Sequence, residues 1–191
     1  MIRSRTVLLV GLGWLLAALA IGASPLGPRL APPVVIAALT AAQLAAAWRL
    51  PSFRAWLGAL DVRWLVAVHL TRFVGFYFLY LYGRGQLPYD FAVPGGWGDI
   101  AVASLAILVL LLGPPRGTGR RAVYILWNVF GLVDILFVVV TAVRLGAADP
   151  GSMLALQRLP LNLLPTFLVP LIIASHVVLA VRLTRSPRGH V

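Results

Sequence analysis

The stretch VRWLVAVHLTRFVGFYFLYLY, residues 62–82, decides the fold. It is apolar over the length of about 20 residues that a helix needs to cross a bilayer. Yet it carries His69 and Arg72 near its first third. A charged side chain at such depth costs about 2.5–3.5 kcal/mol on insertion scales, so it is normally turned inward, paired and functional. The reading therefore turns on whether the rest of the chain supplies more spans and partners for these two residues.

The composition supplies the spans. Of 191 residues, 61% are hydrophobic and only 11% charged, with a mean hydropathy of +0.95. Soluble domains carry about 25% charged residues, so the chain reads as an integral membrane protein. The net charge of +11 would suggest a nucleic-acid partner in a soluble protein, but here the arginines sit in short loops beside apolar runs, and no nucleic-acid partner is expected. Without cysteine, disulfides, thiol nucleophiles and thiolate metal sites are excluded. The sequence contains no lysine, which excludes Schiff-base chemistry. It contains no glutamate either, so proton handling falls to five aspartates and three histidines.

Six segments read as spans, at about 7–23, 32–48, 62–82, 98–113, 122–143 and 160–182. They form one transmembrane domain over residues 1–191, an all-α bundle, with no internal repeat and no soluble domain. Arg3 and Arg5 before an apolar run that ends near Ala18-Leu19-Ala20 also fit a cleaved signal peptide, which would leave the remaining topology unchanged. Gly113-Pro114-Pro115 closes the fourth span, since proline cannot donate to the helix ladder, and because this span is the shortest it is expected to begin in or before GGWGD. Arg3, Arg5, Arg49, Arg54, Arg63, Arg116, Arg120, Arg121, Arg182, Arg185 and Arg188 collect on one side, against Arg29, Arg84, Arg144 and Arg158 on the other. The excess of positive charge marks the cytoplasmic side, so both termini are expected there, in a bacterial inner membrane. Between spans two and three, Phe53, Trp56 or Leu57, Leu60 and Trp64 recur at helical spacing, predicting an interfacial helix over about 52–62 with its apolar face in lipid.

Depth then sorts the polar residues. At about 1.5 Å per residue, His69, Asn128 and His176 lie about six residues, roughly 9 Å, from the cytoplasmic edge. Arg72 is a little deeper, and Asp134 is near the middle of span five. Asn128, Gly131 and Asp134 share one helical face, as do His69, Arg72 and Phe76. Arg72 and Asp134 are the natural ion pair, which by itself would do no more than set helix register, with Asn128 and His176 as interhelical hydrogen bonds. The sharper reading takes His69 and His176 as axial ligands of a b-type haem iron, Arg72 meeting a propionate and Gly75 and Gly131 making room for the ring. His190, in the basic tail, reads as solvated.

Two further features lie toward the other side. In RGQLPYDFAVPGGWGDIAVA (84–103), Gly96-Trp97-Gly98-Asp99 enters an apolar helix, and Asp99 is expected as an N-cap that accepts from the first free amides of span four. The same four residues resemble the G-x-G-D motif of intramembrane aspartyl proteases, but that chemistry needs a second aspartate in the preceding span, and span three has none. Span six carries Pro160, Pro165 and Pro170. Pro160 is expected to start the helix, and the other two to kink it. Kinked spans often line cavities. Asn162, Asp99, Tyr89, Phe91 and Trp97 would suit a cavity opening outward; the plain alternative is a bend repaired by Thr166.

The blocks HLTRFVGFYFL, GQLPYDFAVPGGWGD, WNVFGLVD and LPTFLVPLIIASH together resemble a family of small bacterial polytopic membrane proteins of unknown function. The likeness spans about residues 60–182. It implies the span assignment and the importance of Arg72, Gly75, Pro88, Phe91, Gly98, Asp99, Asn128, Asp134, Pro165 and His176, and lends no activity. Three functional classes stay open: electron transfer through haem b between quinone and a partner; transport of an anionic or zwitterionic small solute, or proton coupling, through the Arg72/Asp134 pair; and a membrane hydrolase using Asp99, Asp134 or His176. A structural role as a homo-oligomer or as a subunit of a larger complex is the fourth.

Overall fold

The computed structural model describes residues 4–24 and 31–184. Arg3, Arg29, Arg185, Arg188 and His190 lie outside them. The described residues form eight α-helices and no strand: α1 (Ser4–Gly22), α2 (Pro32–Arg49), α3 (Pro51–Ala59), α4 (Val62–Ala67), α5 (Gly75–Gly83), α6 (Tyr89–Leu111), α7 (Thr118–Ala148) and α8 (Val169–Thr184). A 3-10 segment, Val68–Val74, joins α4 to α5 as one rod over Val62–Gly83. A π-helical turn, Leu164–Leu168, leads into α8. Five rods are long and apolar enough to cross a membrane: α1, Val62–Gly83, α6, α7 and Leu164–Thr184. A sixth joins them if α2 and α3, bent by 91° at Leu50, are taken as one span.

The bend at Leu50 separates two kinds of helix. α2 is apolar all round, whereas α3 half-buries Phe53, Trp56 and Leu57 on one side and exposes Ser52, Arg54 and Ala55 on the other. Trp64, expected on the same stripe, belongs instead to α4 and is exposed, because the chain turns at Leu60 and Asp61 before α4 starts. Asp61 caps α4 by accepting from the Arg63 amide at 2.9 Å. The Arg63 guanidinium, hydrogen-bonded to it, holds the Asp61 carboxyl below the usual carboxylate range. The last carbonyls of α3 are satisfied from far along the chain: Arg182 donates to Leu57 O at 3.0 Å and to Leu60 O at 2.7 Å.

α6 departs most from expectation. It begins at Tyr89, after Pro88, and runs to Leu111 through Pro94 and the whole of GGWGD. Asp99 is therefore mid-helix and buried, not an N-cap. Glycine and proline read as a loop on propensity, but in a packed helix small residues let backbones approach. A Cβ on Gly75 would collide with the Gly96 carbonyl oxygen, and one on Gly96 would come to 2.9 Å from the Gly75 oxygen. The two glycines are thus the crossing point of α5 and α6. At the far end, Gly113 takes φ +75°, the left-handed turn that glycine permits after a helix, and Pro114 follows.

Span six begins at Leu164, not at Pro160, which falls in the preceding turn. Pro170 lacks the N–H that would bond Thr166 O four residues back. Trp14 of α1 donates its indole N–H to that carbonyl at 2.9 Å, and its ring lies 4.6 Å from Phe167. Thr166 Oγ1 in turn donates to Asn162 O at 2.8 Å. The proline bend is thus repaired in part from another helix. Apolar packing on either side of the polar layer holds α4, α6, α7 and α8 together around Val66, Val102, Tyr124, Trp127 and Leu179, and α5, α6 and α7 around Phe78, Phe91 and Val138.

Candidate functional site

The 3-10 geometry of Val68–Val74 sets the site. In such a segment side chains at i and i+3 eclipse, so His69 and Arg72 stand one above the other and face inward, 0% and 1% exposed. Arg72 reaches across both neighbouring helices. Its Nε donates to Asp99 Oδ1 on α6 at 2.6 Å, its Nη1 to the Gly131 carbonyl on α7 at 2.8 Å, and its Nη2 to Asp134 Oδ2 on α7. The expected partner Asp134 is joined by a second carboxylate that the N-cap reading of Asp99 had placed elsewhere.

Glycines make this reach possible. One turn from the Gly75–Gly96 crossing, Asp99 is brought beside Arg72. A Cβ on Gly98 would collide with Asp134 Oδ1, so Gly98 is the notch through which Asp134 passes α6. A Cβ on Gly131 would lie 2.7 Å from Cε1 of His176 and 3.0 Å from Val102. The GGWGD motif therefore serves helix packing and the ion cluster. The guanidinium stands between the two carboxylates, where an aspartyl-protease pair would hold its water.

Next to the ion cluster lies the histidine pair, with ring centroids 4.1 Å apart. Hydrogen bonding sets the tautomer of each. Asn128 Nδ2 donates to the His176 carbonyl at 3.2 Å, which turns Oδ1 toward His176 Nδ1 at 2.8 Å. Nδ1 must then carry the proton, leaving the Nε2 lone pair free. Ser175 Oγ spends its proton on Ile172 O at 2.8 Å, so it accepts from His69 Nε2 at 3.0 Å. The free lone pair of His69 is on Nδ1. Both nitrogens are buried and have no hydrogen-bond partner among the described residues, Nε2 of His176 lying against Gly131. Trp127 seals the pair, its ring 5.0 Å from that of His69 and its Nε1 donating to Val102 O at 3.1 Å.

The arrangement bears on haem. Each imidazole holds one nitrogen on a protein partner and leaves one free, the pattern a metal ligand needs. The spacing does not suit a macrocycle between them. Two metal–nitrogen bonds of about 2 Å each would use the whole 4.1 Å between the ring centroids, leaving no room for the rings themselves. A haem would require the imidazoles to part. Among the described residues, no three His, Asp, Glu or Cys side chains gather as a metal-binding group.

An apolar cavity of about 340 Å³ opens from the ion cluster toward Pro150–Gln157, between α2, α7 and the lead-in to α8. Arg72 and Asp99 are its ionisable lining residues, and Phe91 lines it too. The other residues expected there lie elsewhere. Asn162 donates from Nδ2 to Gly22 O at 2.9 Å and ties the approach of α8 to α1, because Gly22 leaves room for its amide. Tyr89 and Trp97 are exposed, 56% and 58%, because the helix that now contains them turns them outward. A second, more open pocket of about 540 Å³ lies beside the cavity, bordered by Tyr77, Gln86 and Arg158 and sharing Leu161 with it.

Sequence reasoning missed Trp127, Ser175, Trp14 and Arg182. Each acts through a hydrogen bond to a residue more than 20 positions away, and periodicity along one helix carries no such signal. A family model described as a domain of unknown function (DUF8737) matches residues 30–184. No curated protein and no solved structure matches the chain.

Proposed function

Because the chain belongs to the DUF8737 family, a family of unknown function, we propose its role from its own buried cluster: a proton-coupled transporter of small solutes, in which Asp99, Arg72 and Asp134 form the switching ion cluster. One observation carries this reading. Among the described residues, a single buried guanidinium is held by two carboxylates, so that group has one negative charge in excess. An uncompensated charge at that depth is costly. A proton on one carboxylate removes it, and exchange of that proton for a charged solute couples the two. The free lone pairs of His69 and His176 lie beside the cluster and supply stations for a proton moving to or from it.

In this reading the chain forms one six-span domain in a bacterial inner membrane with both termini cytoplasmic, and a chain this short works as a homo-oligomer. The test uses vesicles containing the reconstituted protein and an internal pH dye, challenged with small solutes of either charge. Solute-driven proton movement is expected with the natural protein. Arg72→Gln and Asp134→Asn should each abolish it, while the double exchange Arg72→Asp with Asp134→Arg restores part. Full movement in both single variants would sink the ion-cluster switch.

The second reading, haem b held by His69 and His176 with electrons passing to or from a quinone, is supported by the one-held, one-free nitrogen pattern of the two imidazoles, and it requires their rings, 4.1 Å apart, to separate. Its test is the absorption spectrum of protein made with haem supplied. A Soret band lost in both His69→Ala and His176→Ala would establish it, and colourless protein would end it.

A further inference from the structure

The 340 Å³ cavity is at the small end of small-molecule sites, which run from about 300 to 1,000 Å³. Its walls are almost wholly aliphatic and aromatic, among them Ile36, Phe78, Val139, Ala142 and Leu168, and its ionisable end is Arg72 with Asp99. An apolar body with one polar head is the ligand shape such walls accept. The chemistry of the head follows from the charge count. Arg72 has already turned donors to Asp99, Asp134 and Gly131 O, so it is not a vacant anion site. Asp99 uses Oδ1 for Arg72, and no described residue bonds its other oxygen. Asp99 thus lines the polar end as part of a group whose described residues sum to a net charge of −1, which repels an anionic head and attracts a cationic one.

We infer that the cavity between α2, α7 and the lead-in to α8 binds a small lipophilic ammonium compound, its alkyl or aryl body along Ala142 and Val139 and its N⁺–H head on Asp99. This proposed ligand takes the place of the anionic or zwitterionic solute that the sequence suggested. The binding site stands on the cavity and its charge; its link to proton movement rests on the transport reading above. Cation and proton compete for the same negative charge, so each ammonium that binds displaces one proton.

The experiment compares three probes of equal tail length, n-octylamine, octanol and octanoate, by their effect on the unfolding temperature of the protein in lipid nanodiscs and by their apparent affinities. Octylamine should bind about tenfold or more tighter than octanol, the difference expected of one charge-assisted hydrogen bond, with octanoate weakest. Its binding should weaken on acidification and release protons into unbuffered solution. Asp99→Asn should remove the advantage of octylamine over octanol. Should that variant fail to fold, Ala142→Phe, which fills the cavity away from the charges, should lower the affinity for both octylamine and octanol.

Equal binding of all three probes, or binding unchanged by Ala142→Phe, would overturn the proposal and leave a groove that any acyl chain, including lipid, fills. Selective octylamine binding with no solute-driven proton movement in vesicles would keep the ligand and refute transport. Proton movement driven by other solutes, without a preference for the ammonium, would refute the ligand and keep transport.

Discussion

Gly98→Ala adds a single methyl group and no chemistry, yet it should act on the centre of the molecule. In an ordinary helix interior the change stabilises by about 1 kcal/mol, because alanine loses less backbone freedom than glycine. Here the new Cβ meets the Asp134 carboxylate where it passes α6 to reach Arg72. Asp134 is a short side chain held at its tip, so it can yield only by leaving the guanidinium. Losing one hydrogen bond between charged groups costs about 1.5–3 kcal/mol, the lower end being expected because Asp99 and Gly131 O still hold Arg72. The net effect is a destabilisation of about 0.5–2 kcal/mol, opposite in sign to the propensity effect. Gly11→Ala supplies the control, because a Cβ there meets nothing within 4 Å, and it should stabilise. Chemical unfolding of the purified protein in detergent measures both. In an Asp134→Ala background, Gly98→Ala should become neutral or stabilising, the double-mutant cycle isolating the contact. If Gly98→Ala stabilises the natural protein as Gly11→Ala does, Asp134 does not pass through that notch and the geometry of the cluster is wrong.

Three further outcomes follow from other contacts. Arg182→Gln should destabilise by about 1–3 kcal/mol, the cost of leaving Leu57 O and Leu60 O unsatisfied, and should open α3 to proteolysis while leaving ligand binding intact; unchanged protease resistance would refute the capping role. Asn128→Leu removes the acceptor that holds the proton on His176 Nδ1, so nitrogen NMR of labelled histidine should show His176 losing its single tautomer, and an unchanged spectrum would contradict the assignment. Trp14→Phe should keep the ring contact with Phe167 and lose the bond to Thr166 O, lowering stability by about 0.5–1.5 kcal/mol; a neutral effect on the unfolding midpoint would mean that the Pro170 bend needs no repair from α1.

The apolar rods were legible because bilayer length and hydropathy act locally, residue by residue. That His69, Asn128 and His176 fall at one level, with Arg72 and Asp134 close by, was legible for the same reason, since level is a count along a helix. Which of them touch is set by helix crossings, and those depend on small residues whose meaning is ambiguous in one dimension. Gly96 and Gly98 read as the entry to span four, although in the folded chain they lie within a helix and let α5 and Asp134 come close to it. Asp99 was therefore placed at a helix start when its partner lies on another span. The same ambiguity hid Trp14, whose indole answers a carbonyl freed by a proline more than 150 residues away.

In the transport reading, the buried cluster of one guanidinium and two carboxylates carries an exchangeable proton. Infrared difference spectroscopy of the protein in vesicles, titrated over about pH 4 to 9 to cover perturbed carboxyl groups, tests it most directly. One carboxylic-acid C=O band per chain is expected to appear on acidification, to be lost or shifted in Asp99→Asn and in Asp134→Asn, and to change when octylamine is added. A spectrum with no such band across the range, or with one that neither substitution alters, would contradict it.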